Sequence, residues 1–233
     1  MNLNGIKLTW LGHATFRVET PGGKTILIDP WVMGNPMCPE KEKNVKNVDV
    51  MLCTHGHFDH IGDAVEIAKK HNPKVVGIPE LCGWLGKKGV KQTAEMNKGG
   101  TQTVDDIKVT MVHADHSCGI QDGDQLVYGG EACGYVVEFT NCVKIYHSGD
   151  TNVFGDMQII RELYAPDVAM IPIGDHYTMG PREAAYACKL LKPKMVIPMH
   201  FGTFPVLTGR PSQLQKLAPD VEVKEMKPGE TIS

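Results

Sequence analysis

Short apolar and β-branched runs recur along the chain, each closed by Gly, Pro, Asn or Asp, which is the signature of strands. They fall at residues 6–10, 16–19, 25–28, 48–53 and 74–78, and again at 107–112, 135–139, 143–147, 168–172, 195–199 and 221–225. Between them the period lengthens to that of a helix. Residues 63–71 place Ala64, Ile67 and Ala68 on one face; residues 154–164 do the same with Met157, Ile160 and Leu163. Residues 181–191 align Ala184, Ala185, Cys188 and Leu191, and Ser212 opens a further short helix. The order is hairpins, then β-α units, then strands, then β-α units once more. Two mixed sheets with helices outside each satisfy it, which predicts an α/β, four-layer αβ/βα sandwich. No repeat, low-complexity tract or polar linker divides the sequence, so residues 1–233 read as one domain. Only residues 119–134 depart from this texture, with five glycines, three acidic residues and little periodicity. That segment is either a lid over a site or a β-hairpin with a long glycine-rich turn.

Composition narrows the classes. Apolar residues are 42 % of the chain, enough for a sizeable core, and charged residues are 22 %, near the globular average. A net charge of -3 leaves no basic footprint for nucleic acid. The N-terminus lacks a signal-peptide pattern, and no apolar run reaches the ~20 residues of a membrane helix, so the chain reads as cytoplasmic. Seven cysteines, none in a Cys-x-x-Cys pair, argue against a zinc ribbon and against a disulfide framework. They read as small buried apolar residues, Cys118 alone standing beside a candidate ligand.

The ten histidines change the picture, because three of them fall within six residues. Thr54-His55-Gly56-His57-Phe58-Asp59-His60 follows the strand at 48–53 directly. No regular helix or strand aims all four donors one way, but a loop leaving a strand end can fold two pairs toward two neighbouring points. His55 and His57 would then serve one metal ion, Asp59 and His60 a second, with Gly56 permitting the sharp turn between the first two. Imidazole and carboxylate donors suit zinc and other first-row divalent metals. Further donors stand at other strand ends: His113 and His116 after 107–112, His147 and Asp150 after 143–146, and His200 after 195–199.

The ordered series His55-x-His57-x-Asp59-His60, His116, Asp150, His200 resembles the five-motif signature of the metallo-β-lactamase superfamily over nearly the whole chain. Trp10-Leu11-Gly12-His13-Ala14, His116-Ser117, His147-Ser148-Gly149-Asp150-Thr151, Gly180-Pro181 with Glu183-Ala184-Ala185, and Pro198-Met199-His200-Phe201 are most similar to an uncharacterised family of predicted metal-dependent hydrolases. That group resembles the ascorbate-6-phosphate lactonases. The resemblance implies the four-layer fold and two divalent ions, zinc foremost, with manganese, iron, cobalt or nickel as alternatives. It implies that His55, His57 and His116 hold one ion and Asp59, His60 and His200 the other. Asp150 would bridge them, since its two oxygens can each reach a metal. His113 continues the alternation of its strand and is expected outside the site.

Two ions about 3.5–4 Å apart would share a hydroxide that attacks a carbonyl or phosphoryl centre, with Asp59 steering the water. The expected substrate is a small-molecule ester, lactone, amide or phosphoester. The alternatives are a phosphodiesterase of the ribonuclease type and, from another class, a non-hydrolytic di-metal redox protein. His57 stands where the superfamily's di-iron oxidoreductases carry a glutamate. His13 is read as a group that supports a ligand or touches substrate, and His176 as an oxyanion donor or a loop-packing residue. Asp175 is expected to hydrogen-bond a metal-bound histidine, His147 to orient Asp150, and His71 to be a cation at a helix C-terminus. Homo-oligomers are common among such relatives, and the same is expected here.

Overall fold

The computed structural model describes residues 1–233. The first half of the chain forms β1 (Lys7–Gly12), β2 (Thr15–Glu19), β3 (Thr25–Ile28), β4 (Val50–Leu52), β5 (Lys74–Gly77) and β6 (Thr93–Glu95). The second half forms β7 (Thr101–Val104), β8 (Ile107–His113), β9 (Gly119–Asp122), β10 (Gln125–Tyr128), β11 (Cys133–Phe139), β12 (Lys144–His147), β13 (Val168–Pro172), β14 (Met195–Met199), β15 (Glu222–Val223) and β16 (Thr231–Ile232). The helices are α1 (Glu40–Lys43), α2 (Phe58–Ile61), α3 (Ala64–His71), α4 (Pro79–Lys87), α5 (Met157–Tyr164), α6 (Pro181–Leu191) and α7 (Pro211–Leu217).

One seven-stranded sheet runs β16-β1-β2-β3-β4-β5-β6 and the other β15-β14-β13-β12-β11-β8-β7. Each is parallel over one side and antiparallel over the other: β3 to β6 and β12 to β15 pair in parallel, while β1–β2–β3 and β7–β8–β11–β12 are antiparallel. Parallel neighbours need crossovers, and α3 to α7 supply them. Strands so covered are buried on both faces, as every residue of β13 and β14 is. Proline at the first turn starts α4, α6 and α7, where a missing N–H costs nothing. Left-handed Asn72, Ala165 and Lys192 end α3, α5 and α6.

The sheets share one core of 64 buried residues, so neither half has a separate interior. Polar ties cross it: the Tyr135 hydroxyl donates to the Cys53 carbonyl at 2.8 Å, and His147 Nε2 donates to the Ala14 carbonyl at 2.9 Å. Periodicity located the central strands to within two residues but did not show α4. Its Pro79-Glu80-Leu81-Cys82-Gly83-Trp84-Leu85-Gly86-Lys87 sequence carries two glycines that weaken a helical pattern. Neither glycine has a neighbour within 4 Å of where a Cβ would sit, so both occupy the outer face. Within 119–134 the chain forms a hairpin, β9–β10, apart from both sheets and turning on Gly123 at φ +60°. Asp122 ties it to α4 by accepting from Trp84 Nε1 at 2.9 Å and Lys88 Nζ at 2.7 Å. No helix is long and apolar enough to cross a membrane.

Candidate metal centre

The polar side chains that the motifs single out gather where the parallel strands of both sheets end, the usual place for a site in an open α/β sheet. His55 and His57 leave β4, and the one-turn helix α2 presents Asp59 and His60. His116 follows β8, Asp150 follows β12, and His200 follows β14. Three residues at this edge, His13, Asp29 and His200, hold φ at +56°, +48° and +56°. Left-handed backbone costs a non-glycine residue about 1 kcal/mol or more, and such strain collects at functional sites. The His200 amide donates to the His13 carbonyl at 3.1 Å, locking two of these turns together.

The donors form two groups. The ligand atoms of His55, His57 and His116 lie within 4.8 Å of one another. His55 Nε2 is 3.0 Å from His57 Nδ1, and the Ser117 hydroxyl meets the other nitrogen of His57 at 3.3 Å. His113 is elsewhere: it ends β8 exposed, edge-on to Phe154 and near Lys98 Nζ. The second group is His13, Asp59, His60 and His200, again within 4.8 Å. Asp150 touches both groups. Its Oδ2 is 3.0 Å from His200 Nε2, 3.2 Å from His60 Nε2, 3.7 Å from His116 Nε2 and 3.9 Å from His55 Nε2.

Short distances alone would be compatible with a hydrogen-bonded polar cluster. The angles point otherwise. His60 Nε2, His200 Nε2 and Asp150 Oδ1 are buried and make no aligned hydrogen bond, although two of them sit about 3 Å from a carboxylate oxygen. Each such orphan costs about 1–3 kcal/mol. Two imidazole nitrogens that face one carboxylate oxygen without bonding it, beside that carboxylate's unpartnered second oxygen, fit a divalent ion held among them.

A residue absent from the sequence reading wires the two groups together. Asp29, fully buried after β3, accepts from the Thr54 amide at 2.8 Å, from the Thr54 hydroxyl at 2.7 Å and from His60 Nδ1 at 2.7 Å. The Thr54 hydroxyl has spent its proton on Asp29, so it accepts from His55 Nδ1 at 3.0 Å. One carboxylate thereby fixes the tautomer of one histidine in each group and turns both Nε2 atoms to the centre, the arrangement that supporting carboxylates give metal-binding histidines. Asp29-Pro30 after an apolar run was the only trace of it in the sequence.

The two groups differ electrically. Burial and then neighbouring histidine charge hold His55 well below the ordinary imidazole range and lower His57 and His116 as well. In the other group burial also works to lower His60 and His200, but Asp150 outweighs it. His60 is raised well above its usual value, with help from Asp29, and His200 to about 9. Burial would raise Asp59 and Asp150; a hydrogen bond from His13 and the nearness of His200, 3.6 Å away, hold Asp59 below the ordinary range, and the charges of His200 and His60 hold Asp150 well below it.

His13 is buried between Asp59 and Thr203: Nε2 lies 3.0 Å from Asp59 Oδ2 and Nδ1 2.8 Å from the Thr203 hydroxyl. A carboxylate only accepts, so the proton sits on Nε2; with the ring neutral, the single Thr203 hydroxyl proton goes to Nδ1 in preference to the weakly accepting Met37 Sδ 2.9 Å away. Burial, then the charge of His200, lowers its pKa to about 4, so this neutral tautomer persists at neutral pH. His147 donates from Nε2 to Ala14 and accepts the Gly149 amide at 3.1 Å, shaping the turn that delivers Asp150. Asp175 has no bond to a ligand; its carboxylate accepts the His176 amide at 2.7 Å within its own loop, and the sequence reading of it is corrected accordingly. His176 is exposed, left-handed at φ +61° and edge-on to Tyr177, outside both groups. Cys118 donates to the Gly129 carbonyl, and burial pushes its thiol up to about 11, so it is an inert packing group. His71 closes the last turn of α3 and has no part in the cluster.

Two mixed sheets with helices outside, carrying this histidine and aspartate cluster at their shared edge, define a beta-lactamase superfamily domain, and that family matches residues 7–200. More narrowly, the chain belongs to the UPF0173 metal-dependent hydrolase family. It is 73 % identical to a member from Koribacter versatilis over all of both chains. It is 52 % identical to one from Solibacter usitatus, covering 97 % of this chain and 99 % of that one. A metallo hydrolase of known structure from the archaeon Ignicoccus hospitalis is 38 % identical with a TM-score of 0.86, over 97 % of each chain.

Proposed function

We propose that this protein is a binuclear metal-dependent hydrolase acting on a small-molecule ester, lactone, amide or phosphoester. The observation that carries the reading is the position of Asp150 Oδ2, within 3.9 Å of histidine nitrogens from both groups. His55, His57 and His116 would hold one ion and Asp59, His60 and His200 the other, with Asp150 between them. Zinc suits these donors, and manganese, iron, cobalt or nickel would also be accepted. Bound there, the ions would acidify a water and polarise the substrate oxygen.

The chain's own residues do the rest. Asp59 is the most exposed carboxylate of the centre, its side chain 13 % accessible against 2 % for Asp150. Asp59 is thus the carboxylate of the centre that solvent water can reach. Ionised and anchored by His13, it accepts a hydrogen bond from that water and fixes its direction. The Asp29–Thr54 pair keeps His55 and His60 from turning away. No serine or cysteine nucleophile is required, so the reaction proceeds without a covalent enzyme intermediate. The test is hydrolysis of a panel of esters, lactones, amides and phosphoesters before and after chelation. Activity that disappears with the metal and returns on reconstitution is expected; activity indifferent to chelation would refute the proposal.

A further inference from the structure

Eleven large apolar side chains are exposed on this protein, and six belong to segments that carry or flank the metal-centre residues. Met33 follows Asp29, Phe58 lies between His57 and Asp59, Leu126 and Tyr128 are on the hairpin after Ser117, Tyr177 follows β13, and Val206 follows His200. The remaining five include α5, α6 and α7 positions, where isolated apolar exposure is ordinary.

On the Asp59 side one of these six, Phe58, joins buried Trp31 and half-buried Phe204 in a continuous aromatic wall. Trp31 stacks on Phe204 at 6.0 Å and 26° and meets Phe58 edge-on at 5.8 Å; Phe58 and Phe204 are 6.5 Å apart. The wall reaches the centre itself, because His13 lies edge-on to Trp31 at 5.2 Å and to Phe204 at 5.7 Å. Its geometry is built in. Asp63 accepts the amides of Val32 at 2.5 Å and Met33 at 2.7 Å, fixing the loop that bears Trp31. Gly62 is required beneath it, for a Cβ there would stand 2.6 Å from the Phe58 carbonyl and 2.9 Å from Trp31 Cδ1. Phe58 nevertheless remains 61 % exposed, a large aromatic ring kept in water beside a polar centre. No lysine or arginine hydrogen-bonds or pairs with any residue of the cluster or the wall.

We infer that the Trp31–Phe58–Phe204 wall binds an uncharged apolar acyl or aryl group carried on the carbonyl that the centre attacks. This rests on the hydrolase reading and narrows it: the substrate is a carbonyl compound with a hydrophobic acyl part, not a phosphorylated metabolite. A phosphate would need cationic partners that the wall does not offer, whereas a chain lying on Phe58 and Phe204, with buried Trp31 behind them, removes apolar surface from water on both sides.

Hydrolysis of methyl acetate, butanoate and hexanoate by metal-loaded protein, followed by proton release, tests the idea without an aromatic leaving group to compete for the wall. Calorimetric binding of acetate and hexanoate, the product acids, gives a readout that does not need turnover. A fully buried methylene is worth about fourfold, and one on a wall open on one side about twofold, so kcat/KM and product affinity should each rise about sixteenfold over the four methylenes from the acetyl to the hexanoyl compound. Phe58→Ala and Phe204→Ala, both checked for unchanged metal content, should flatten that series to about twofold. Chelator-sensitive hydrolysis with a flat series, and hexanoate binding no tighter than acetate, would overturn the wall and leave the hydrolase intact. So would a steep series that both variants retain, or a wall buried in a dimer that Phe58→Ala dissociates. If no carbonyl or phosphoryl compound is hydrolysed at all, the hydrolase reading fails, and hexanoate affinity in the two variants still decides the wall.

Discussion

The two halves of the candidate metal centre both rest on histidine but hold it under opposite conditions. The His55–His57–His116 half is all imidazole and opens to solvent through His57 and His116, and its histidines are held neutral. The half built from Asp59, His60 and His200 includes a carboxylate and is more deeply buried, and Asp150 holds protons on His60 and His200. Burying ionised Asp150 costs several kcal/mol unless positive charge stands beside it. Without metal, protons supply that charge in part. The comparison teaches that the two halves differ in what an incoming ion must displace: nothing in the first, protons in the second.

The largest effect should come from cutting the shared residue. Asp150→Ala is expected to lose both ions, whereas His200→Ala should lose one, measured by elemental analysis and metal titration of each variant. Asp150→Ala protein that keeps both ions at parental affinity would break the comparison at its centre. Next is Asp29→Asn. One Asp29 oxygen accepts from the Thr54 hydroxyl and His60 and the other from the Thr54 amide, so an asparagine must turn its NH2 group on one of these donors and brings no charge, and affinity should fall about 10–100-fold in both halves from one substitution outside the ligand set. A loss confined to one half would show that the Thr54 relay to His55 does not matter.

Protons sharpen the contrast further. His200 carries a proton below about pH 9 in the metal-free protein, so an ion entering its half must release it. Affinity there should rise at least about tenfold per pH unit from pH 6.5 to about 9, where the His200 contribution ends. The first half, with its imidazoles lowered, should bind equally well across that range. Titrations at several pH values check this, and two parallel pH profiles would contradict it. The smallest effect separates neighbours on one strand: His116→Ala should lose the ion of the first half, while His113→Ala should leave metal content unchanged and cost under about 1 kcal/mol in a denaturant melt.

The candidate ligands that the structure brings together could be picked out because they are close in sequence or stand at the ends of apolar runs, where spacing and residue type speak together. Thr54 to His60 is the clearest case. The sandwich was legible for a related reason, since strand and helix periods alternate in the order that two β-α halves require. Asp29, Thr203 and Asp63 were not, because each acts through a contact made by distant segments, and Asp29 needs a left-handed backbone that no pattern announces. Asp175 misled for the converse reason. Adjacent to His176 and following a strand, it had the right chemistry, but its loop folds back on its own amide. The hairpin at 119–134 was readable as glycine-rich, and only its packing against Gly56 shows why it stands where it does: a Cβ on Gly56 would lie 2.5 Å from Ile120 Cγ1.

The central claim is that one carboxylate joins the two halves into a single binuclear centre. Electron paramagnetic resonance of the protein loaded with one and then two equivalents of manganese tests it most directly. With both halves filled, two ions sharing Asp150 should show a spin-coupled spectrum that collapses in Asp150→Ala. An uncoupled six-line spectrum whose intensity doubles at the second equivalent would mean two separate sites, and the account would be wrong.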